Sequence, residues 1–333
     1  MKRQQTSTQL VALGLFAIVL AMLLADSARG ETGCIGATLA FPKTSTTTRS
    51  WLTRRHDPIH VSLQRIDREG RLGQPIVDQP TWIVIHGRSS DAKDFYSLAA
   101  AIAARQSDYQ VLLLDWSEGA ADNFPTGLNG AEWIPVVAHW AYEALKGQGL
   151  GGEQISLLGH SWGAYIAYDI ADAWTDGTHH GVHSIIALDP ASAGIALSLH
   201  ALNLSAVADH SWAFFDNDAC GSAEFALTAD ECFDLVFDQN ISSIARHWAC
   251  VPVLEQLLRR DDAVSRLFSV SRLQSALAAP WTAQHDAEQP TTSPRTFAAT
   301  LILGPSVDGI GRLIRVLTHN AAGTKIQLTI ASR

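Results

Sequence analysis

A surplus of positive charge is what this chain most plainly lacks. Lysine and arginine number 24 against 33 aspartates and glutamates, giving a formal net charge of −9. With no basic face to neutralise a phosphate backbone, nucleic acid is not an expected partner. Cysteine is scarce, at 4 in 333 residues. None of the four belongs to a Cys-x-x-Cys pair or a Cys/His cluster, so no metal site is expected. Charged residues make up only 17% of the chain and hydrophobic ones 47%. That balance excludes a disordered chain and describes a globular one. No internal repeat is present.

Long apolar runs are also missing, except at the very start. Lys2 and Arg3 precede an apolar stretch from Leu10 to Ala25, and Asp26-Ser27-Ala28-Arg29-Gly30 follows. A basic segment, an apolar segment and small residues read as a cleavable secretory signal over residues 1–30. The run is shorter than the ~20 residues a membrane span needs. An uncleaved N-terminal membrane anchor is the alternative. Export would place the cysteines in an oxidising compartment, where four of them suggest two disulfides. Of the three connectivities, Cys220–Cys232 with Cys34–Cys250 is the first choice. Two N-x-S triplets, at Asn203 and Asn240, matter only if the host glycosylates.

What the chain has instead is a series of short apolar strands that end in polar residues. Residues 31–55, rich in Thr, Ser and Gly, look like a loosely held arm. Ile59–Leu63 and a polar turn over 67–73 open the domain as a hairpin. Trp82–Ile85, Val111–Leu114, Ile155–Leu158, Ile185–Leu188 and Trp212–Phe215 follow as buried strands. Helical spacing separates them, as in Phe95–Ala103 and in Trp133–Leu145, with Pro135 in a first turn. Apolar strands without alternation, interleaved with helices, predict an α/β fold whose mostly parallel sheet is covered on both faces. Loops past the carboxyl ends of such strands carry the reactive groups. His86, Asp115, Ser161, Asp189 and Asp216 all stand there.

The segment from Cys220 to Asp238 looks irregular and acidic, and Val251–Leu277 reads as one or two helices. Residues 56–281 are expected to form the main domain. A Pro-containing linker over 282–294 then leads to a small antiparallel β-meander over 295–333.

The centre of this arrangement is Ile155–Tyr165, in which Gly159-His160-Ser161-Trp162-Gly163 links a strand to a helix. Such an elbow holds a serine in a strained backbone conformation with its hydroxyl presented. A serine needs an imidazole to take its proton, and the imidazole needs a carboxylate. The chain order for this elbow is serine, acid, histidine. His247 is the best-placed histidine, just before a helix. His160 adjoins the serine but cannot curl back to serve it. His179, His180 and His183 precede the acid. His200 and His210 precede the last strand of the series, and His285 and His319 lie in or after the linker. For the acid, Asp189 and Asp216 stand close to even. The backbone N–H groups of Arg88 and Trp162 are the expected oxyanion donors.

The runs Ile83-Val84-Ile85-His86-Gly87, Leu113-Leu114-Asp115-Trp116, Gly159–Ala164 and Ala187-Leu188-Asp189-Pro190-Ala191 carry a resemblance. In this order and spacing they resemble the pancreatic-type (animal digestive) lipase family and its bacterial relatives, in the α/β-hydrolase superfamily, over residues 59–260. The resemblance implies an α/β-hydrolase fold and a secreted serine ester hydrolase of lipase, carboxylesterase or phospholipase type. It implies Asp189 as the acid, with Asp216 the runner-up, and His247 as the base. Neither metal nor organic cofactor is implied. The implied partner is a small-molecule or lipid ester, met in transient contact with a lipid surface. Trp162 replaces the family's leucine, and Arg88 its aromatic or aliphatic residue, which narrows or polarises the acyl side. A short loop between Cys220 and Cys232 would be the only lid. A non-catalytic lipid-binding or structural relative is the alternative, and cleavage of a thioester or peptide bond is a third reading.

Overall fold

A computed structural model describes residues 34–40, 58–121, 131–175, 181–192, 202–216, 220–237 and 242–259, with the backbone of 297–304, 312–319 and 325–329. The expected signal segment and linker lie outside the described residues. Six parallel strands form the middle of the sheet. They are β4 (Thr81–Ile85), β5 (Gln110–Asp115), β6 (Ile155–His160), β7 (Val182–Leu188), β8 (Ala208–Phe215) and β9 (Glu231–Phe237), in the order β5-β4-β6-β7-β8-β9. At one edge β2 (Ile59–Ile66) pairs antiparallel with β5, and β1 (Cys34–Leu39) and β3 (Leu72–Gly73) pair with β2. At the other edge β10 (Phe297–Gly304) pairs parallel with β9. β11 (Arg312–His319) and β12 (Lys325–Thr329) follow as antiparallel partners, at the apolar runs expected of the meander.

The absence of alternation in the sequence has a simple cause, because both faces of the sheet are covered. Trp82, Val84, Val111 and Leu113 point to one face, beneath α1 (Tyr96–Arg105) and α6 (Ser243–Arg259). Ile83, Ile85, Leu112 and Leu114 point to the other, beneath α3 (Ile134–Gly147) and α4 (Gly163–Ala173). Two single-turn helices, α2 (Ser117–Ala120) and α5 (Ala223–Ala226), follow β5 and β8. Pro135 sits in the first turn of α3, where its missing N–H costs nothing. Ahead of α1, Asp91 and Asp94 cap a short turn reciprocally, Lys93 N–H donating to Asp91 Oδ1 at 2.7 Å.

The structure corrects four expectations. Part of the supposed loose arm is β1, an edge strand in register with β2. The supposedly irregular acidic segment contains α5 and β9; Glu231 and Asp234 interrupt its apolar run, but Phe233 and Leu235 face one cluster and Cys232 the other. Helix α6 begins at Ser243, so His247 lies inside it rather than before it. The helix expected from Val251 onward therefore starts earlier, and Pro252 stands within it. Finally, no disulfide joins any of the four cysteines. Cys34 is on the outermost strand at the β2 edge, whereas Cys250 is buried beside β8 and β9, several strands away at ~4.8 Å each. The Cys232 thiol packs into the core and donates to the Ala226 carbonyl, while Cys220 is exposed. Among the described residues no helix is long and apolar enough to cross a membrane.

Accommodating β9 in the sheet has a cost. Burial pushes the Glu231 carboxyl up from 4.5 to about 7, although Trp212 Nε1–H donates to it at 2.8 Å. A carboxylic acid whose folded pKa is raised stabilises the fold below its unfolded value. That contribution is lost as pH rises from 4.5 through about 7. Glu231→Gln keeps an acceptor for Trp212 and removes the charge. In thermal melts the variant should match wild type near pH 4.5 and exceed it at pH 8, by on the order of 1–3 kcal/mol. A pH-independent difference would contradict this.

Candidate active site

The elbow owes its geometry to close packing. At Gly159 a Cβ would lie 2.2 Å from the Gly163 carbonyl oxygen, and at Gly163 a Cβ would lie 2.4 Å from that of Ile85. Side chains at either position would push α4 away from the sheet. Ser161, between them, has φ +56° and is one of only four described non-glycine residues with positive φ. Ser89 and Asp189 are two others, also just past strand ends. Such outliers cost on the order of 1–3 kcal/mol each and concentrate where function needs them. The Ser161 N–H donates to the Leu188 carbonyl at 2.9 Å, tying the elbow to the end of β7.

Asp189 stands at that end and is fully buried. Its carboxylate accepts from the Asp216 N–H at 3.2 Å, and its Oδ2 lies 2.5 Å from His247 Nδ1. Burial pushes the Asp189 carboxyl above the usual carboxylate range, and the hydrogen bond to His247 pulls it back. Asp216, the alternative acid, is engaged elsewhere. Arg246 Nη2–H donates to its Oδ1 at 2.8 Å, and Arg246 Nε lies 2.6 Å from Oδ2. The structure therefore brings Asp189 and His247 together and gives Asp216 to the neighbouring residue of the same helix. Arg246 carried no signal in the sequence beyond its place beside His247.

The loop after β4 runs against the nucleophile, since a Cβ at Gly87 would lie 2.7 Å from Ser161 Cβ. His86 anchors this loop. Trp116 N–H donates to His86 Nε2 at 3.1 Å and Trp116 Nε1–H donates to the His86 carbonyl at 2.9 Å. Because a backbone N–H can only donate, that ring nitrogen bears no proton, and Nδ1 donates to the Gly87 carbonyl at 3.0 Å. Arg88 follows, its guanidinium 5.4 Å above the centre of the Trp162 ring. Trp162 itself is 1% exposed, its ring 6.5 Å from that of Trp116 and tilted by 34°. Its ring is sealed beneath Arg88 rather than presented to solvent. Asp115, the fifth strand-end residue, has its Oδ1 3.5 Å from His86 Nε2 and accepts from the Ser117 N–H at 3.0 Å. Among the described residues no cluster of metal-ligating side chains occurs.

A strained serine, a buried carboxylate on an imidazole and a backbone loop against the serine thus stand together past the carboxyl ends of the parallel strands. A model of the alpha/beta hydrolase family matches residues 82–316. The chain belongs to that family. This alpha/beta hydrolase is also similar to solved structures. One is an esterase from Pyrobaculum calidifontis, at 12% identity over 81% of this chain and 94% of that one, with a TM-score of 0.41. Another is the esterase LipW from Mycobacterium marinum, at 12% identity over 64% and 72%, with a TM-score of 0.33. A third is a probable hydrolytic enzyme from Pseudomonas aeruginosa PAO1, at 17% identity over 50% of this chain, with a TM-score of 0.28. Only 43% of that Pseudomonas chain is covered. No curated protein matches the sequence.

The acid loop is stitched to the segment before α5 and to α4. Ser222 N–H donates to the Pro190 carbonyl at 2.5 Å, Ser192 N–H donates to that of Cys220 at 2.8 Å, and Tyr165 O–H donates to that of Ala191 at 2.5 Å. Gly221 belongs to this stitch, and a Cβ there would lie 2.0 Å from Asp189 Oδ1. Gly221→Ala should therefore swing the carboxylate off His247. Proton NMR of the wild type should show a far-downfield imidazole N–H resonance that vanishes in the variant, with Tm lowered by a few degrees. Retention of the resonance would show that the carboxylate does not depend on this gap.

Proposed function

We propose that this alpha/beta hydrolase is an exported serine carboxylic-ester hydrolase, lipase-like, working through an acyl-enzyme. The observation that carries the reading is the His247 Nδ1–Asp189 Oδ2 contact of 2.5 Å beside a serine held at φ +56°. With Nδ1 turned to Asp189, Nε2 is the nitrogen left to serve Ser161. Ser161 Oγ attacks the ester carbonyl carbon while His247 Nε2 takes its proton. The carbon–oxygen bond to the alcohol then breaks, and His247 returns the proton to the departing alkoxide. Water attacks the acyl-enzyme by the same route and releases the acid, restoring Ser161. Asp189 stays a carboxylate and stabilises the imidazolium. The amides of Trp162, at the N-terminus of α4, and of Arg88 are assigned to the oxyanion, whose charge a helix N-terminus favours.

The fold alone does not choose an ester. The choice is supported by the four motif segments that resemble pancreatic-type lipases. A small-molecule or lipid ester is the proposed substrate class. Export is proposed from residues 1–30, read as a signal peptide.

A fluorophosphonate probe should label the wild type and leave Ser161→Ala untouched; an unlabelled wild type would favour a non-catalytic relative. On p-nitrophenyl esters, Asp189→Asn should lower kcat by ~10³–10⁴. Asp216→Asn should lower it far less. The opposite order of losses would move the acid one strand along.

A further inference from the structure

His160 is one of the most constrained side chains near the site, and neither the nucleophile nor the base requires it by name. It is 5% exposed and is the last residue of β6, directly before Ser161. Its Nε2 lies 3.1 Å from the main-chain carbonyl oxygen of His247, 87 positions along the chain. Its Nδ1 is buried and has no hydrogen-bond partner. Its ring sits 4.8 Å from that of His247, tilted by 45°. On its other side lie Trp248, edge-on at 5.3 Å, and Phe95 at 5.9 Å, with Phe95 and Trp248 also edge to face.

We propose that His160 is a positioning residue for the general base: its Nε2–H holds the main chain of His247 and locks helix α6 onto the nucleophile strand. This rests on the ester-hydrolase reading of Ser161 and His247. A carbonyl oxygen only accepts, so the proton of the His160 ring is on Nε2. The bare Nδ1 faces Gly87, where a Cβ would lie only 3.2 Å away. Moving the proton to Nδ1 would aim it at a Cα and break the bond to α6. Adding a second proton is opposed by burial first and by the neighbouring His247 second, which together bring His160 down to about 3. The ring therefore stays a neutral Nε2–H donor throughout the range in which His247 must gain and lose a proton.

The need for such a lock follows from where the two reacting groups stand. Ser161 rides on the β6–α4 elbow and His247 on α6, and proton transfer requires their polar atoms within about 2.6–3.2 Å. Asp189 fixes the far edge of the His247 ring but not the backbone that carries it. His160 fixes that backbone from the residue adjoining the nucleophile, so serine and base share one reference point. A shift of ~1 Å at such a site costs up to ~100-fold in rate.

Two substitutions of similar length separate this role from mere core filling. His160→Gln retains an N–H donor near the imidazole Nε2 position, and His160→Met retains bulk without a donor. The full chain is assayed with p-nitrophenyl butyrate, and kcat is expressed per fluorophosphonate-titrated site. His160→Met should lose roughly 10–100-fold in kcat with KM within about twofold, whereas His160→Gln should stay within about threefold of wild type. A wild-type kcat in His160→Met overturns the proposal, as does a loss in His160→Gln equal to that in His160→Met. Should His160→Met fail to fold, a loss above tenfold in a folded His160→Gln overturns it and a loss below threefold supports it. A wild type that neither hydrolyses the ester nor takes the label would instead remove the ester-hydrolase reading.

Discussion

A carboxylate that cannot reach water must be answered by the protein, and two of them stand side by side here. Asp189 is fully buried and Asp216 is 2% exposed, and the main-chain N–H of the second donates to the side chain of the first. Unpaired, each would cost several kcal/mol. Consecutive residues of α6 supply the answer: Arg246 takes Asp216, and His247 takes Asp189. Helix α6 can satisfy both only from one position and one rotation. The charge balance of the acid loops thus fixes where the imidazole stands. The left-handed backbone of Asp189 and the missing side chain at Gly221 serve the same pairing from the other side.

This pairing also explains how two nearly equivalent aspartates come to differ. Both follow apolar strands, both stand past the carboxyl ends of the neighbouring strands β7 and β8, and spacing alone leaves them level. The difference lies in what each meets. Asp189 meets a group that can exchange a proton, and Asp216 meets a guanidinium that keeps its proton at any working pH. That distinction is made by α6, which packs from 58 residues further along the chain.

Much of the framework was legible in the sequence, for definite reasons. Buried parallel strands leave uninterrupted apolar runs, so β4 to β8 and the polar residues past their ends could be read directly. The elbow was legible because close approach forbids side chains at Gly159 and Gly163. Strand β9 was not, since Glu231 and Asp234 break its apolar run and their accommodation depends on Trp212 and the sheet around them. The true start of α6 was not legible either, because its apolar spacing is plain only from Val251 onward. The cysteines misled through a compartment argument that takes no account of distance. His160 was set aside because it cannot reach Ser161, yet its partner is the main chain of His247, a contact that no local pattern encodes. Arg246 was invisible for the same reason.

The relation among Ser161, His247 and Asp189 is tested most directly by a crystal structure of the fluorophosphonate-treated protein. Phosphorus should be bonded to Ser161 Oγ, with a phosphoryl oxygen about 2.7–3.1 Å from the Arg88 and Trp162 amides. His247 Nδ1 should still rest on Asp189. An adduct on another residue, a phosphoryl oxygen turned away from both amides, or His247 swung to Asp216 would contradict it.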